Sequence, residues 1–541
     1  VLHGSHFIKD GEPCFPPASA LNTAITGKNP HSPDGVFRTV FAGVPHTGIT
    51  YCKCNPCVRL ATRRLTNCRN ATLPATADLP KRINPNALAE ENAMLSLQTE
   101  FIDDHPDIIT FLSEWFSQKP NSYTDAKVEA WDHAGDTHAK RMLRIQALTD
   151  AVLDGTFPDR HWGETPTWKM KTIELAKHGK LPRMIGDLGV AASLLGFRVT
   201  AVLKEAMAHQ DGFYHGAQFR FVKAPKTHLL RAVFQDLMDP QEAYFLAIFS
   251  DDSCLSVRDG GQVNMYNMDI SSCDASHSAR LFQLLIDTAP PELKDDVRVL
   301  VEQCSGKLRL LDCNNKRNHI LYRLLRPRLL SGSTLTTHIN NCANVLIGAS
   351  IALRKATTPT QIIAAAHAVG YQVTLDYCPT YHTLQFLKHS PCYDTSGVLQ
   401  PVLNVGVFLR SFGTCHGDLP GRGPLRPRAD EFQRALLQGM YPRLDTPVLT
   451  ALRTLYGSAP VSTKMLLFAN AHHAGKTDIE DTTVCTIDTT ELLHRYALID
   501  LETSELEECF ARWCYQTSVE CPAFAKILQL DYGLTTVTED W

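Results

Sequence analysis

The sequence predicts a mixed α+β protein, on three observations. Leu95–Phe116, Val128–Leu153 and Gly186–His209 carry apolar residues at three- and four-residue intervals, the period of a buried helix face. Ala243–Phe249 and Asn264–Ile270 are short apolar runs of strand length. The two kinds of segment do not alternate regularly, which argues against a βαβ architecture. No internal repeat is present, so a solenoid is not expected.

At 541 residues the chain has room for three or four structural units of roughly 150 residues, or for one multi-lobed enzyme. A hydrophobic fraction of 44% with 20% charged residues excludes wholesale disorder. No apolar run approaches the roughly 18 residues of a membrane span; the best, Ala343–Leu353, is short and carries Asn, Gly and Ser. A net charge of -4 gives no global attraction to polyanions, so any such site must be a local concentration of cations. The first residue is Val1, as expected of a trimmed, cleaved or partial chain. The 17 cysteines are scattered, which predicts a reducing compartment and free thiols. Cys52, Cys54, Cys57 and Cys68 could hold zinc, but the C-x-C edge constrains a tetrahedral site, and free thiols are expected there.

Taken along the chain, a first basic stretch contains Lys169, Lys171, Lys177, Lys180 and Arg183. Next, Ser250-Asp251-Asp252 separates two apolar half-strands, as at a hairpin tip. Like charges there repel unless a cation neutralises them; a plain polar turn is the bland alternative. Gly260-Gly261 marks a further turn. The run ending Asn267-Met268-Asp269 delivers a carboxylate to a strand end, with Asp274 five positions on. Carboxylate oxygens suit Mg²⁺, although a helix N-cap followed by a surface acid accounts for the spacing equally well. Between Ser305 and Arg328 lie Lys307, Arg309, Lys316, Arg317, Arg323, Arg326 and Arg328 against the single acid Asp312. Such clusters are usually solvated faces. Ser331-Gly332 then opens a flexible loop, and Thr336 and Asn340, four apart, share a helix face beyond it. Asn470–Thr477 half-matches a phosphate loop but lacks its first glycine.

Three of these pieces resemble the palm motifs of viral RNA-dependent RNA polymerases: Asp269-x4-Asp274 resembles motif A, Ser331-Gly332-x3-Thr336-x3-Asn340 motif B, and Ser250-Asp251-Asp252 motif C, with Ser where most members carry Gly. Motif C stands first. This C-A-B order resembles the permuted polymerases of permutotetraviruses and birnaviruses, and the two-aspartate turn is closer to the permutotetravirus form. The usual order would need its acidic pair near Val373–Cys378, where only Asp376 is present. Phe219–Arg231 resembles motif F, Gln385–Lys388 motif E, and Thr360–Val369 with Gly370-Tyr371 motif D; motif G has no evident counterpart.

The resemblance implies a right-hand fold with a permuted antiparallel palm sheet and helix-rich fingers and thumb. Residues 1–240 would form an N-terminal extension and fingers, 241–284 and 329–395 the palm, 285–328 a fingers segment and 396–541 the thumb. It implies RNA synthesis on an RNA template, with Asp269, Asp251 and Asp252 holding two Mg²⁺, Mn²⁺ being able to substitute. Asp274, Ser331, Gly332, Thr336 and Asn340 would surround the ribose, and Lys223, Lys226 and Arg231 the triphosphate. Lys388, Lys307, Arg309, Lys316 and Arg317 would contact primer and template RNA. No Lys lies between Lys355 and Lys388 to serve as the motif D general acid, which leaves His382 as the candidate. Template and nascent RNA, NTPs and other viral replication proteins are the implied partners, in the host cytoplasm or the virion. A non-catalytic RNA-binding replication or packaging protein, or a reverse transcriptase, are the competing readings.

Overall fold

The computed structural model describes residues 92–118, 210–222, 225–307 and 327–407 throughout, and elsewhere the elements named here and parts of the stretches between them. Val128–Leu153, Lys223, Lys316, Arg317, most of the phosphate-loop-like stretch and the side chains of the Cys52–Cys68 group and of Arg309 lie outside the described residues. The strands are β1 (Ser5–Lys9), β2 (Glu12–Cys14), β3 (Gly48–Cys52), β4 (Cys57–Ala61), β5 (Thr167–Thr172), β6 (Met184–Asp187), β7 (Gly212–Tyr214), β8 (Ala217–Phe221), β9 (Tyr244–Phe249), β10 (Asp252–Asp259), β11 (Gln262–Ile270), β12 (Lys307–Leu311), β13 (His319–Leu324), β14 (Val373–Cys378), β15 (His389–Tyr393), β16 (Leu399–Leu403) and β17 (Ser518–Glu520). The helices used below are α1 (Pro85–Asp104), α2 (Pro106–Phe116), α3 (Thr227–Met238), α4 (Ala279–Thr288), α5 (Lys294–Gln303), α6 (Thr336–Leu353), α7 (Pro359–Ala368), α8 (Leu425–Met440), α9 (Thr463–His472), α10 (Thr489–Tyr496), α11 (Asp500–Ala511) and α12 (Pro522–Tyr532).

The central sheet runs β14-β11-β10-β9-β8-β7. Its middle strand β9, Tyr-Phe-Leu-Ala-Ile-Phe, is apolar throughout because both faces are covered. Tyr244, Leu246 and Ile248 enter the larger core with α2, α4, α6 and α7. Phe245 and Ala247 enter a second core under α3 and the Leu384–Leu399 stretch. Helix α6 is buried without a break from His338 to Ala352, as befits a helix packed all round. Gly348 is what lets it sit so close, since a Cβ there would collide with the Phe219 ring.

Three expectations are corrected. The central sheet as a whole is mixed: β9, β10, β11 and β14 pair antiparallel as expected, but β8 adds to β9 in parallel; the whole of α3 lies between them, long enough for the return. The helical run Leu95–Phe116 is two helices, broken at His105 because Pro106 cannot donate to the preceding turn. In Gly186–His209, Gly186 and Asp187 belong to strand β6, and the described residues from Ser193 to Met207 are helical.

A second six-stranded sheet has the order β2-β1-β13-β12-β5-β6, its β12–β5 pair parallel. Among the described residues no helix is long and apolar enough to cross a membrane. The described cysteines Cys254, Cys273, Cys304, Cys342, Cys378 and Cys392 are free and buried.

Candidate active site

The β9–β10 hairpin has a two-residue tip, Ser250-Asp251, with Phe249 facing Asp252. Such a tip needs positive φ at its first residue, and Ser250 has φ 57°. That conformation costs a non-glycine residue roughly 1–2 kcal/mol. Three asparagines of α6 hold it there. Asn341 Oδ1 accepts from the Ser250 N–H at 2.7 Å, Asn344 Nδ2 donates to the Ser250 carbonyl at 2.7 Å, and Asn340 Nδ2 donates to its hydroxyl at 3.2 Å. Asn341 and Asn344 escaped the motif pattern. The available signal was three amides in an apolar helix, each of which must find a partner when buried.

The next strand supplies the other carboxylates. β10 and β11 are joined at Gly260-Gly261, both at positive φ, in a register that sets Asp252 directly opposite Asp269. Burial pushes the Asp252 carboxyl up to about 7; Lys388 and the Leu387 N–H, 3.4 Å from its Oδ2, pull it down, while Asp251 and Asp269 push it further up. The buried Cys273 thiol is also pushed well up, by burial and then by Asp274, Asp251 and Asp269. All four aspartates therefore act on one small region. Asp376, by contrast, is exposed on β14 opposite Asn267.

Asp274 sits in a 3-10 turn over Cys273–Ala275 just after β11. Ser331 Oγ donates to Asp274 Oδ2, and Asn340 Nδ2 donates to Asp274 Oδ1 at 3.0 Å. Asp274, Ser331 and Asn340, separated in sequence, thus form one cluster. Gly332 lies beside it, exposed at φ 113°. Thr336 opens α6, but its hydroxyl donates to the Ser333 carbonyl at 2.8 Å, within its own loop.

The other expected residues are placed differently. Phe219 and Phe221 lie on β8 inside the central sheet, and Thr227–Met238 is the helix α3. The cause is its apolar alternation, with Ala217, Phe219 and Phe221 all in the core. Arg220 is bound by Asp211 and Asp236. Arg231 donates to the Leu399 carbonyl at 2.7 Å and to Gln400 Oε1 at 2.8 Å, which ties α3 to β16. Lys226 is exposed at the start of α3.

His382 faces Glu491 of α10 across 3.1 Å, stacks on His494 and receives the Arg495 guanidinium on its carbonyl. It belongs to the seam with the C-terminal helices. Lys388, at φ 62°, reaches the Asp531 carbonyl at 3.3 Å while also acting on Asp252.

Lys307 is exposed on β12, and Arg309 on the same strand pairs in register with Lys169 of β5. The β5–β6 pair in turn ends at the Asp274–Ser331–Asn340 cluster, where the Gly186 N–H donates to the Ser331 carbonyl at 2.8 Å. Lys169 pairs in register with Asp187, the residue next to Gly186, a placement that only strand pairing reveals.

Among the described residues no three His, Cys, Asp or Glu side chains are gathered closely enough to hold one ion as they stand. The donor chemistry nevertheless suits Mg²⁺. It prefers hard oxygens and is commonly held by one or two carboxylates together with substrate phosphates and water, not by an all-protein cage.

No protein-family model matches this chain, and no curated protein matches it. Among solved structures it is similar to the RNA polymerase VP1 from infectious pancreatic necrosis virus, at 12% identity and a TM-score of 0.35, over 81% of this chain and 56% of that one. It is also similar to the birnavirus VP1–VP3 complex, at 12% identity and a TM-score of 0.36, over 96% of this chain and 65% of that one. This chain spans less than two thirds of either neighbour. Likeness at that level carries no argument about activity, and these two neighbours are birnavirus polymerases, not the permutotetravirus form.

Proposed function

We propose that this chain is an RNA-directed RNA polymerase with palm motifs in the order C-A-B. One observation carries the reading: Asp252 pairs with Asp269 across β10 and β11, while Asn340 of α6 bonds both Asp274 and Ser250. Chain order matters little to chemistry that depends on where the carboxylates stand. β9 to β11 and α6 would form the palm, with helix-rich fingers before it and a thumb made of the C-terminal helices.

Asp269 and Asp251 would hold Mg²⁺, with Asp252 assisting. The ions supply charge that makes the attacking 3′-hydroxyl more acidic and neutralises the triphosphate. Asp274, Ser331 and Asn340 would orient the ribose and accept or donate to its 2′-hydroxyl. The Lys169-bearing hairpin beside Ser331 is a better candidate for the triphosphate than Arg231, whose donors are engaged with β16. His382 is disfavoured as general acid because Glu491 and His494 enclose it.

Primer extension with Mg²⁺ or Mn²⁺ tests the proposal. The wild type is expected to add NTPs to an RNA 3′-end, and Asp251→Asn to lower product by at least about 10²-fold while sparing salt-sensitive RNA binding. Normal extension by Asp251→Asn would remove the metal assignment. RNA binding without incorporation would favour the non-catalytic reading, and a preference for dNTPs would favour reverse transcription.

A further inference from the structure

We propose that His277 and Tyr371 are positioning residues that fix the orientation of the Asn340 amide, and through it the selection of ribose over deoxyribose. The selectivity half of this rests on the polymerase reading; the orientation half does not.

All three side chains are buried: His277 is 1% exposed, Tyr371 0% and Asn340 1%. His277 Nε2 lies 2.7 Å from Asn340 Oδ1, and its Nδ1 lies 2.8 Å from the Tyr371 hydroxyl. The direction of each bond follows from donor chemistry. Asp274 Oδ1 is an acceptor, so Asn340 must turn its NH₂ toward it, as the 3.0 Å contact shows. That leaves the Asn340 carbonyl facing His277, and a carbonyl can only accept. Nε2 therefore carries the imidazole proton. Nδ1 is then an acceptor, and Tyr371 donates to it.

The result is a one-way chain of donors: Tyr371 hydroxyl to His277, His277 to Asn340, Asn340 to Asp274. Cys273 Sγ donates to the same Asn340 carbonyl at 3.4 Å, which reinforces the orientation. Burial keeps the chain in one protonation state. It pushes His277 down to about 4, so the ring stays neutral, and it pushes the Tyr371 phenol well up, so the donor proton stays on. Gln98 of α1 anchors the far end. Its side chain accepts from the Ser278 N–H at 2.8 Å and donates to the Ser276 carbonyl at 3.3 Å and the Val369 carbonyl at 3.2 Å, which fixes the segments carrying His277 and Tyr371.

If Asn340 turned over, its carbonyl would face the Asp274 carboxylate and its NH₂ would face a ring N–H. Two repulsive contacts would replace two bonds. A freely turning amide would present either a donor or an acceptor toward the sugar and would discriminate poorly.

The test uses the full chain labelled with ¹⁵N-histidine at pH 7, the His277 signals being assigned by their loss in His277→Gln. The expected result is the neutral Nε2–H tautomer in the wild type and a shift toward Nδ1–H in Tyr371→Phe. An imidazolium or an Nδ1–H form in the wild type overturns the proposal, whatever the enzymatic activity. In primer extension, Tyr371→Phe should lower the NTP-to-dNTP incorporation ratio roughly tenfold, the worth of about one hydrogen bond. In an Asn340→Ala background it should change that ratio no further. An equal effect in both backgrounds would reduce Tyr371 to a packing residue. A wild type that incorporates nothing would end the polymerase reading, and the tautomer would still decide the relay.

Discussion

Ser250 is the residue on which the geometry of the site turns. It adopts a backbone conformation that glycine would take freely, and Asn341 and Asn344 bond its backbone on both sides. Asn344→Ala leaves a buried carbonyl unpaired, so it should lower unfolding stability by about 1–3 kcal/mol in a urea titration. Ser250→Gly in that background should recover part of the loss, because the left-handed strain disappears. A wild-type midpoint for Asn344→Ala would show that the clamp contributes nothing. At this scale the aspartates were legible only through the motif resemblance, because a carboxylate at a turn or helix cap is common by itself. The clamp was not, because amides reveal nothing until their partners are known.

Among the elements, α6 decides how the sheet and the Ser331 loop fit together. Its Gly348 abuts the Phe219 ring and Leu246. Gly348→Ala would gain about 1 kcal/mol of helix propensity but lose about 1–3 kcal/mol to overpacking. A net fall in stability is therefore expected, relieved by Phe219→Leu; a stabilised Gly348→Ala would contradict the close approach. Strands β9 and β11, the Gly260-Gly261 turn and the start of α6 were legible because their signals are local. Pro106 carried a local signal too, and the helix break there follows from it. The parallel β8–β9 pair was not legible, since Phe219–Arg231 combines an apolar alternation with scattered cations. Its cations suggested a phosphate strand, while burial of Ala217, Phe219 and Phe221 placed it in the sheet.

Across the whole molecule, the C-terminal helices are joined to the site through Asp531 of α12. Its carboxylate accepts from buried Arg495 at 2.7 Å, from Tyr496 at 2.9 Å and from the Gly406 N–H at 2.8 Å, and its carbonyl accepts from Lys388. Asp531→Ala strands a buried guanidinium and should cost about 3–5 kcal/mol, read as a large fall in the urea midpoint. The molecule should also lose stability in mild acid. Burial holds His277, His338 and His389 each at about 4, below the unfolded value, so the unfolded chain takes up protons first as pH falls from about 6.5 toward 4. Asp252, raised to about 7, acts in the opposite sense over the same range. Three groups outweigh one, so the urea midpoint of the metal-free protein should drop between pH 7 and pH 5; a rise would mean the histidines are not held neutral.

The most direct test of the central claim is anomalous diffraction from crystals soaked with Mn²⁺. The account predicts density between Asp251 and Asp269, next to Asp252. Manganese bound elsewhere, with those carboxylates left bare in crystals of catalytically active protein, would contradict it.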